Sequence, residues 1–192
     1  MAKQDIRDVA MDGNCGFHAV AAALNDMHPE RNMDWRQVRR DLLGQYKQHH
    51  HFWDGLFGKT ENIQKRLDWF QSGTALVEHW FDAPPAAILA ADVYTRLLVF
   101  LDEDTKIGNY TYVPFHTSSG STTPICLVFV RKNHWQHATL KTPLALHPIF
   151  TLWRTRSDKK TRESWMAKLS CDLLASPGFE GEKDMETIDL TK

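Results

Sequence analysis

Cys15 is the side chain in this sequence whose surroundings most favour chemical reactivity. A polar turn at residues 12–14 precedes it, and Gly16 follows it. Apolar residues then recur at the spacing of one buried helix face, at Phe17, Val20, Ala21 and Leu24. A helix that begins at Cys15 would present free backbone N–H groups and the positive end of its dipole to the sulfur. The pattern therefore predicts a thiol with a lowered pKa that acts as a nucleophile.

The other two cysteines have settings typical of structural residues. Cys126 lies in the apolar run 125–130, and Cys171 lies on a predicted helix near the C-terminus. Free cysteine is often buried as a small hydrophobic residue, and this structural role is also the alternative for Cys15. Three widely spaced cysteines give no disulfide framework and no paired metal ligands, so we expect no metal and no other cofactor.

A thiol nucleophile needs a general base, and His134 is the strongest candidate among the ten histidines. The apolar run 125–130, a short polar turn and an alternating run predict an antiparallel hairpin, with His134 where the second strand begins. His137 projects to the opposite face of that strand, because side chains alternate with a period of two. Only one of these two histidines can therefore face Cys15.

These residues together carry a family resemblance. Residues 12–17 read Asp-Gly-Asn-Cys-Gly-Phe and precede a helix of small apolar residues, and His134 is followed by Trp135 at the start of a late strand. The pattern resembles the ovarian tumour (OTU) family of cysteine proteases, which are papain-like deubiquitinases, over roughly residues 5–142. The resemblance implies an α+β, papain-like OTU domain whose nucleophile helix packs against a small mixed or antiparallel sheet.

The resemblance also implies a function and a set of roles. The chain would hydrolyse isopeptide bonds of ubiquitin or a ubiquitin-like modifier by a thiolate mechanism. Cys15 matches the nucleophile, His134 the base, and Asp12 the acidic residue whose loop shapes the oxyanion hole. Gly13 and Asn14 belong to that oxyanion loop.

The residue that orients the base is left open by the sequence. Gln136 stands where the family commonly has Asp or Asn two residues after the base. It shares a face with His134, and its amide oxygen can accept an imidazole N–H, but it carries no negative charge. Either Gln136 orients the base, or Asp8, on the segment that leads into the catalytic turn, takes that role. A second departure is His18, where the family often has Arg.

Two other functions compete with the protease. One is a ubiquitin-binding or interaction module that keeps the OTU fold but is weak or inactive because of Gln136. The other is a papain-like acyltransferase with a different substrate.

The composition and charge of the chain limit the classes of partner and the cellular locations that we expect. The chain has 192 residues and a net charge of −1, without a basic patch interleaved with aromatic residues, so nucleic acid is not expected as a partner. No apolar stretch reaches the length of a membrane span, and the charged N-terminus lacks the apolar core of a secretory signal. We expect an intracellular, reducing location, in the cytoplasm or nucleus, including that of a host cell if the protein is delivered there.

Helical patterns come first along the chain and strands cluster later, which predicts an α+β domain. The first helix is expected to end near Asn25, and Asp34 is expected to cap a second one. Arg39, with its basic neighbours on that helix, is assigned to a solvated face. The three histidines at 49–51 are assigned to a polar loop and not to a metal site, because consecutive histidines cannot converge on one ion.

Three regions are predicted from these patterns. Residues 1–142 form the OTU-like domain, residues 143–176 a helical extension, and residues 177–192 an acidic, disordered tail. The extension either packs back on the domain or binds a partner. The tail contains Ile188, Asp189 and Leu190 between acidic neighbours, which resembles a SUMO-interacting motif and makes SUMO a further predicted partner.

Overall fold

The structure, a computed structural model, describes residues 4–58, 62–104, 108–140 and 147–174. Within these ranges the strands are β1 (Gln4–Arg7), β2 (Arg96–Asp102), β3 (Tyr110–Tyr112), β4 (Ser121–Val130) and β5 (His134–Leu140). The α-helices are α1 (Cys15–Met27), α2 (Trp35–Gln48), α3 (His50–Phe57), α4 (Ile63–Leu67), α5 (Pro85–Val93), α6 (Thr151–Arg156) and α7 (Lys159–Leu174). None of these helices is both long and apolar enough to cross a bilayer.

The strands form one mixed sheet in the order β1-β5-β4-β2-β3. Strands β2 and β4 are parallel, and every other neighbouring pair is antiparallel. The predicted α+β class is confirmed, and the sheet is of the mixed kind. The parallel pair is buried on both faces, as parallel strands usually are, and residues 97–101 and 125–130 read as continuous apolar runs.

The predicted hairpin is present as β4 and β5, with Val130 paired to His134 where the turn closes. Strand β1 lies on the other side of β5, and its last residue, Arg7, is paired with His137. Because these two strands are antiparallel, the chain that leaves β1 runs past the beginning of β5. This topology brings Asp8 alongside the candidate base.

Helix α1 packs on β5 and β4 through its buried face. Phe17, Val20 and Leu24 are fully buried, as their spacing predicts, and the intervening alanines let the helix lie close to the sheet. The helix continues to Met27, beyond the expected end near Asn25, so Asp26 lies in its last turn and not in a connector.

Residues 50–57 are helical, and the prediction of a polar loop over the histidines was therefore wrong. Trp53 explains the difference: its side chain is fully buried, and its indole N–H donates to the carbonyl of Gln45 at 3.2 Å. Trp53 also packs edge-on against Phe115. Burial of a large aromatic ring outweighs the polarity of the histidines that begin the helix.

Helices α6 and α7 pack back on the domain. Trp153 and Trp165 are fully buried, and their indole N–H groups donate to the carbonyls of Pro114 at 2.8 Å and Thr117 at 2.7 Å. The helical extension therefore contributes to the same core as α1. Residues 175–192, with Ile188, Asp189 and Leu190, lie outside the described residues, and the SUMO contact stays a prediction.

Candidate active site

Cys15 is the first residue of α1, and its sulfur lies at the beginning of β5. The backbone N–H groups of Trp135, Gly16 and Cys15 itself are near enough to the sulfur to favour its thiolate form. Trp135 directly follows His134, so helix α1 and strand β5 meet where the nucleophile and the candidate base were predicted. The thiol is buried, with 6% of the residue exposed.

The thiol is not preformed as a thiolate, which corrects the expectation of a lowered pKa. Burial is the largest influence and raises the pKa of Cys15. The N–H groups of Trp135 and of the helix start act in the predicted direction, but desolvation outweighs them, and the charge of Asp12 raises the pKa further. A base must therefore remove the proton when the thiol reacts.

His134 is held by Asp8. The Nε2 atom of His134 lies 2.7 Å from Oδ1 of Asp8, and His134 is only 3% exposed. Gln136 donates its amide N–H to the same carboxylate oxygen at 3.1 Å. Of the two residues that the sequence left open, Asp8 contacts the imidazole, and Gln136 contacts Asp8.

The protonation states of this pair follow from the contact. The hydrogen bond from His134 is the main reason that the pKa of Asp8 is lowered, and the bonds from Gln136 and the Val9 N–H add to it. Asp8 is therefore a carboxylate at neutral pH and accepts the Nε2 proton. A neutral His134 then has its lone pair on Nδ1, the nitrogen that is available as a base.

Asp12 shapes the turn before the nucleophile. Its Oδ1 accepts the backbone N–H of Asn14 at 2.9 Å, and its Oδ2 lies 3.2 Å from Nε2 of His18. Burial alone would raise the pKa of Asp12, but these hydrogen bonds lower it, so the side chain is charged. The Asn14 N–H, predicted as part of the oxyanion loop, is occupied by Asp12 in this conformation.

Gly13 is required in this turn. Its φ is +76°, and a Cβ there would come within 2.2 Å of the carbonyl oxygen of Ala75. The neighbouring Asp12 carbonyl accepts the Ala75 N–H at 2.8 Å, which ties the turn to the segment before a short 3₁₀ helix at Val77–His79. A larger residue would break this contact and displace Asn14 and the start of α1.

Arg39 stabilises the turn at residues 12–14 by hydrogen bonds to Asn14. Its assignment to a solvated face was wrong. The residue is fully buried, and Nε and Nη2 donate to Oδ1 of Asn14 at 3.0 and 2.8 Å. It also donates to the carbonyls of Arg66 at 2.8 Å and His79 at 2.6 Å. Burial lowers its pKa to about 9, so the guanidinium is charged at neutral pH. The sequence signal for its burial was its position four residues after Trp35, on the face of α2 that is buried.

Replacing Arg39 with methionine is expected to lower the free energy of unfolding by about 3–5 kcal/mol. The change leaves three acceptor oxygens without their donor, one of them on the fully buried Asn14. Denaturant titration followed by tryptophan fluorescence measures the effect. The matched control is Arg40→Met on the same helix, because exposed Arg40 bonds to Gln37 and to no other side chain in the described ranges, and a change within about 0.5 kcal/mol is expected there. Equal effects of the two substitutions would contradict the role of Arg39.

His137, His49 and His116 have other partners than Cys15. His137 projects to the helix side of the sheet, where it bonds to Asp26 at 3.0 Å and to the Cys126 carbonyl at 3.2 Å. His49 stacks on His116 with ring centroids 4.1 Å apart. In the part of the chain that the structure describes, no three His, Cys, Asp or Glu side chains are grouped so that they could hold a metal ion.

Cys126 offers an internal comparison for thiol reactivity. Both Cys15 and Cys126 are free thiols, and burial raises the pKa of Cys126 to about 12. We expect iodoacetamide at pH 8 to alkylate Cys15 in the folded protein and to leave Cys126 unmodified, as measured by peptide mass spectrometry. Alkylation of Cys126 at the rate of Cys15 would contradict the special setting of Cys15.

An aromatic cavity of about 430 Å³ is lined by Phe81 and Trp135, among other residues. The ring of Phe81 packs against Gly16, the residue after Cys15, and Trp135 directly follows His134. The cavity therefore shares two of its walls with the elements that carry the candidate site.

Comparison with known proteins identifies the fold. No protein-family model matches the sequence, and no curated protein sequence matches it either. Among solved structures, the OTU domain of OTUD1 superposes with a TM-score of 0.50 at 14% identity, covering 71% of this chain and 85% of that domain. The chain therefore has an OTU-like fold.

Two further solved structures are similar at lower scores. The OTU deubiquitinase of Wolbachia pipientis wMel has a TM-score of 0.48 at 12% identity, with 84% of this chain and 96% of that chain covered. The Hazara virus OTU, solved bound to ubiquitin, has a TM-score of 0.48 at 15% identity, with 71% and 81% covered.

Proposed function

We propose that this protein is a cysteine-type deubiquitinase that hydrolyses isopeptide bonds of ubiquitin or a ubiquitin-like modifier. The observation that carries the proposal is the carboxylate of Asp8 2.7 Å from the imidazole of His134, together with the thiol of Cys15 at a helix start where the backbone N–H of Trp135, the residue after His134, favours the thiolate. This is the set of groups that thiol hydrolysis needs, and the fold is similar to that of the OTU domain of OTUD1.

The reaction begins with proton transfer. Nδ1 of His134 takes the proton of Cys15, and Asp8 stabilises the imidazolium through Nε2. The thiolate attacks the carbonyl of the C-terminal glycine of the modifier and forms a tetrahedral intermediate. Because Asp12 occupies the Asn14 N–H, the oxyanion falls to the N–H groups of Gly13 and Cys15.

The intermediate then collapses to a thioester. The C–N bond breaks, and His134 protonates the lysine amine that leaves. Water, deprotonated by the same imidazole, hydrolyses the thioester and regenerates the thiol. The mechanism requires reduced cysteines, and a cytoplasmic or nuclear location suits it.

The alternative of an inactive binding module relied on Gln136 as a weak orienter of the base. Asp8 provides the charge at the imidazole instead, and Gln136 bonds to Asp8, which supports the protease over the inactive module. An acyltransferase would use the same three residues on another acyl donor.

Cleavage of fluorogenic C-terminal amides of ubiquitin, SUMO and other modifiers tests the proposal. We expect turnover of at least one of these substrates, with ubiquitin preferred. Binding of ubiquitin without turnover of any amide would favour the interaction module. The absence of both binding and turnover would contradict the proposal.

A further inference from the structure

Asp26 joins the three elements that carry the proposed catalytic residues. It lies in the last turn of the nucleophile helix, and its Oδ1 accepts a hydrogen bond from Nη1 of Arg7 at 3.0 Å. Its Oδ2 lies 3.0 Å from Nε2 of His137. Arg7 immediately precedes Asp8, and His137 lies on the same strand as His134.

The sheet register explains how one carboxylate meets both partners. Arg7 and His137 are opposite one another on β1 and β5, so their side chains project from the same face. That face is the one on which α1 packs, since His137 reaches Asp26. A single carboxylate on the helix therefore contacts adjacent strands at matched positions.

Helix stability does not account for an acidic residue at this position. A carboxylate in the last turn of a helix faces the negative end of the helix dipole, which is unfavourable. His137 is only 5% exposed, and both of its ring nitrogens face acceptors, Asp26 and the carbonyl of Cys126. The contact of Asp26 with His137 is therefore shielded from water on the histidine side, and the contact with Arg7 is exposed and weaker.

We propose that Asp26 is a positioning residue that aligns α1 with β1 and β5 and thereby places Cys15, Asp8 and His134 relative to one another. The helix packs on β5 along its buried face, and Asp26 adds a polar contact with His137 at the end of the helix away from Cys15. The inference rests on the proposed function, because it concerns the same three catalytic residues.

The proposal predicts an effect on catalysis and not on substrate binding. Asp26 lies eleven residues along the helix from Cys15, about 16 Å along its axis, so it is too far from the sulfur to contact the scissile bond. A small misalignment of base and nucleophile lowers the rate of proton transfer and attack, and leaves the docking of the modifier unchanged.

Replacing Asp26 with alanine is the main test. We expect kcat for a ubiquitin-derived fluorogenic amide to fall about tenfold or more, with KM unchanged within about twofold. The rate at which iodoacetamide alkylates Cys15 should fall in parallel, because that reaction depends on the base but not on the modifier. Asp26→Asn keeps one acceptor oxygen without the charge. Its kcat and alkylation rate should lie between those of the alanine variant and those of the unmodified protein.

Two matched variants separate positioning from general destabilisation. Asp34→Ala removes the cap of α2, where the carboxylate accepts the Gln37 N–H at 2.7 Å, and has no contact with β1 or β5 in the described structure. It should lower the melting temperature without lowering kcat. Arg7→Met removes the exposed contact, leaves the core intact, and should lower kcat about two- to threefold even if Asp26→Ala does not fold.

The outcomes distinguish a failure of the proposed function from a failure of the positioning role alone. If the unmodified protein alkylates Cys15 no faster than Cys126 and turns over no modifier amide, the proposed function fails and the positioning role fails with it. If the unmodified protein is active, the positioning role alone is overturned by either of two results. One is normal kcat and alkylation in both Asp26→Ala and Arg7→Met, and the other is a change confined to KM.

Discussion

Replacing Cys15 with alanine is expected to abolish hydrolysis of a ubiquitin amide, with a loss of about 10⁴-fold or more in kcat/KM. The proposed mechanism forms the thioester on this thiol, and alanine cannot replace it. Alanine occupies less space than cysteine at the start of a helix whose other contacts stay in place, so the variant should remain folded. Turnover of the fluorogenic amide and a circular dichroism spectrum measure the two effects.

His134→Ala is expected to cause a loss of similar size, and the double variant should be no worse than either single one. Residues that act as a unit give strongly non-additive losses, because the removal of either one disables the same step. Cys126→Ala is the matched control, since that thiol is buried away from the site and should leave kcat unchanged. Retention of more than about one hundredth of the activity in Cys15→Ala would contradict the mechanism.

Replacing Asp8 with asparagine is expected to lower kcat by about 10²–10⁴-fold. The asparagine has nearly the same shape, but it cannot stabilise the imidazolium by charge, and its amide can turn an N–H toward Nε2 and favour the wrong tautomer. Initial rates at saturating substrate measure the loss. The comparison variant is Gln136→Ala, which removes a neighbour of Asp8 and should cost only a few-fold. A larger loss in Gln136→Ala than in Asp8→Asn would make Gln136 the orienting residue.

The pKa of Asp8 gives this prediction a pH dependence. His134 holds that pKa below its ordinary value of 3.8, so the contact contributes stability above pH 3.8 and loses it as the pH falls through the lower, folded pKa. The carboxylate is therefore charged from about pH 5 upward. Asp8 therefore does not titrate between about pH 5 and pH 8. Any loss of activity measured over that range must come from another group.

Much of the site could be predicted from local patterns. The turn at residues 12–14 and the helix stripe after it located Cys15, because glycine and apolar spacing act over a few residues. The hairpin located His134, because alternation and turn chemistry are equally local. The mixed sheet and its helices match the predicted α+β class for the same reason.

The long-range contacts could not be predicted in the same way. Asp8 is 126 residues from His134, and only the pairing of β1 with β5 brings them together. The direction of the Cys15 pKa shift depends on burial by elements that are distant in sequence. Arg39 is the exception, since its place in the buried stripe of α2 was visible, but a charged residue was assigned to solvent because buried arginines are rare.

The central claim is that Cys15 is the nucleophile toward a modifier's C-terminus. Its most direct test is incubation of the protein with ubiquitin that carries a C-terminal electrophile, followed by peptide mass spectrometry. The account predicts a single adduct on Cys15, formed rapidly in the unmodified protein and much more slowly in His134→Ala. Ubiquitin that binds but forms no adduct, or an adduct on a cysteine other than Cys15, would contradict it.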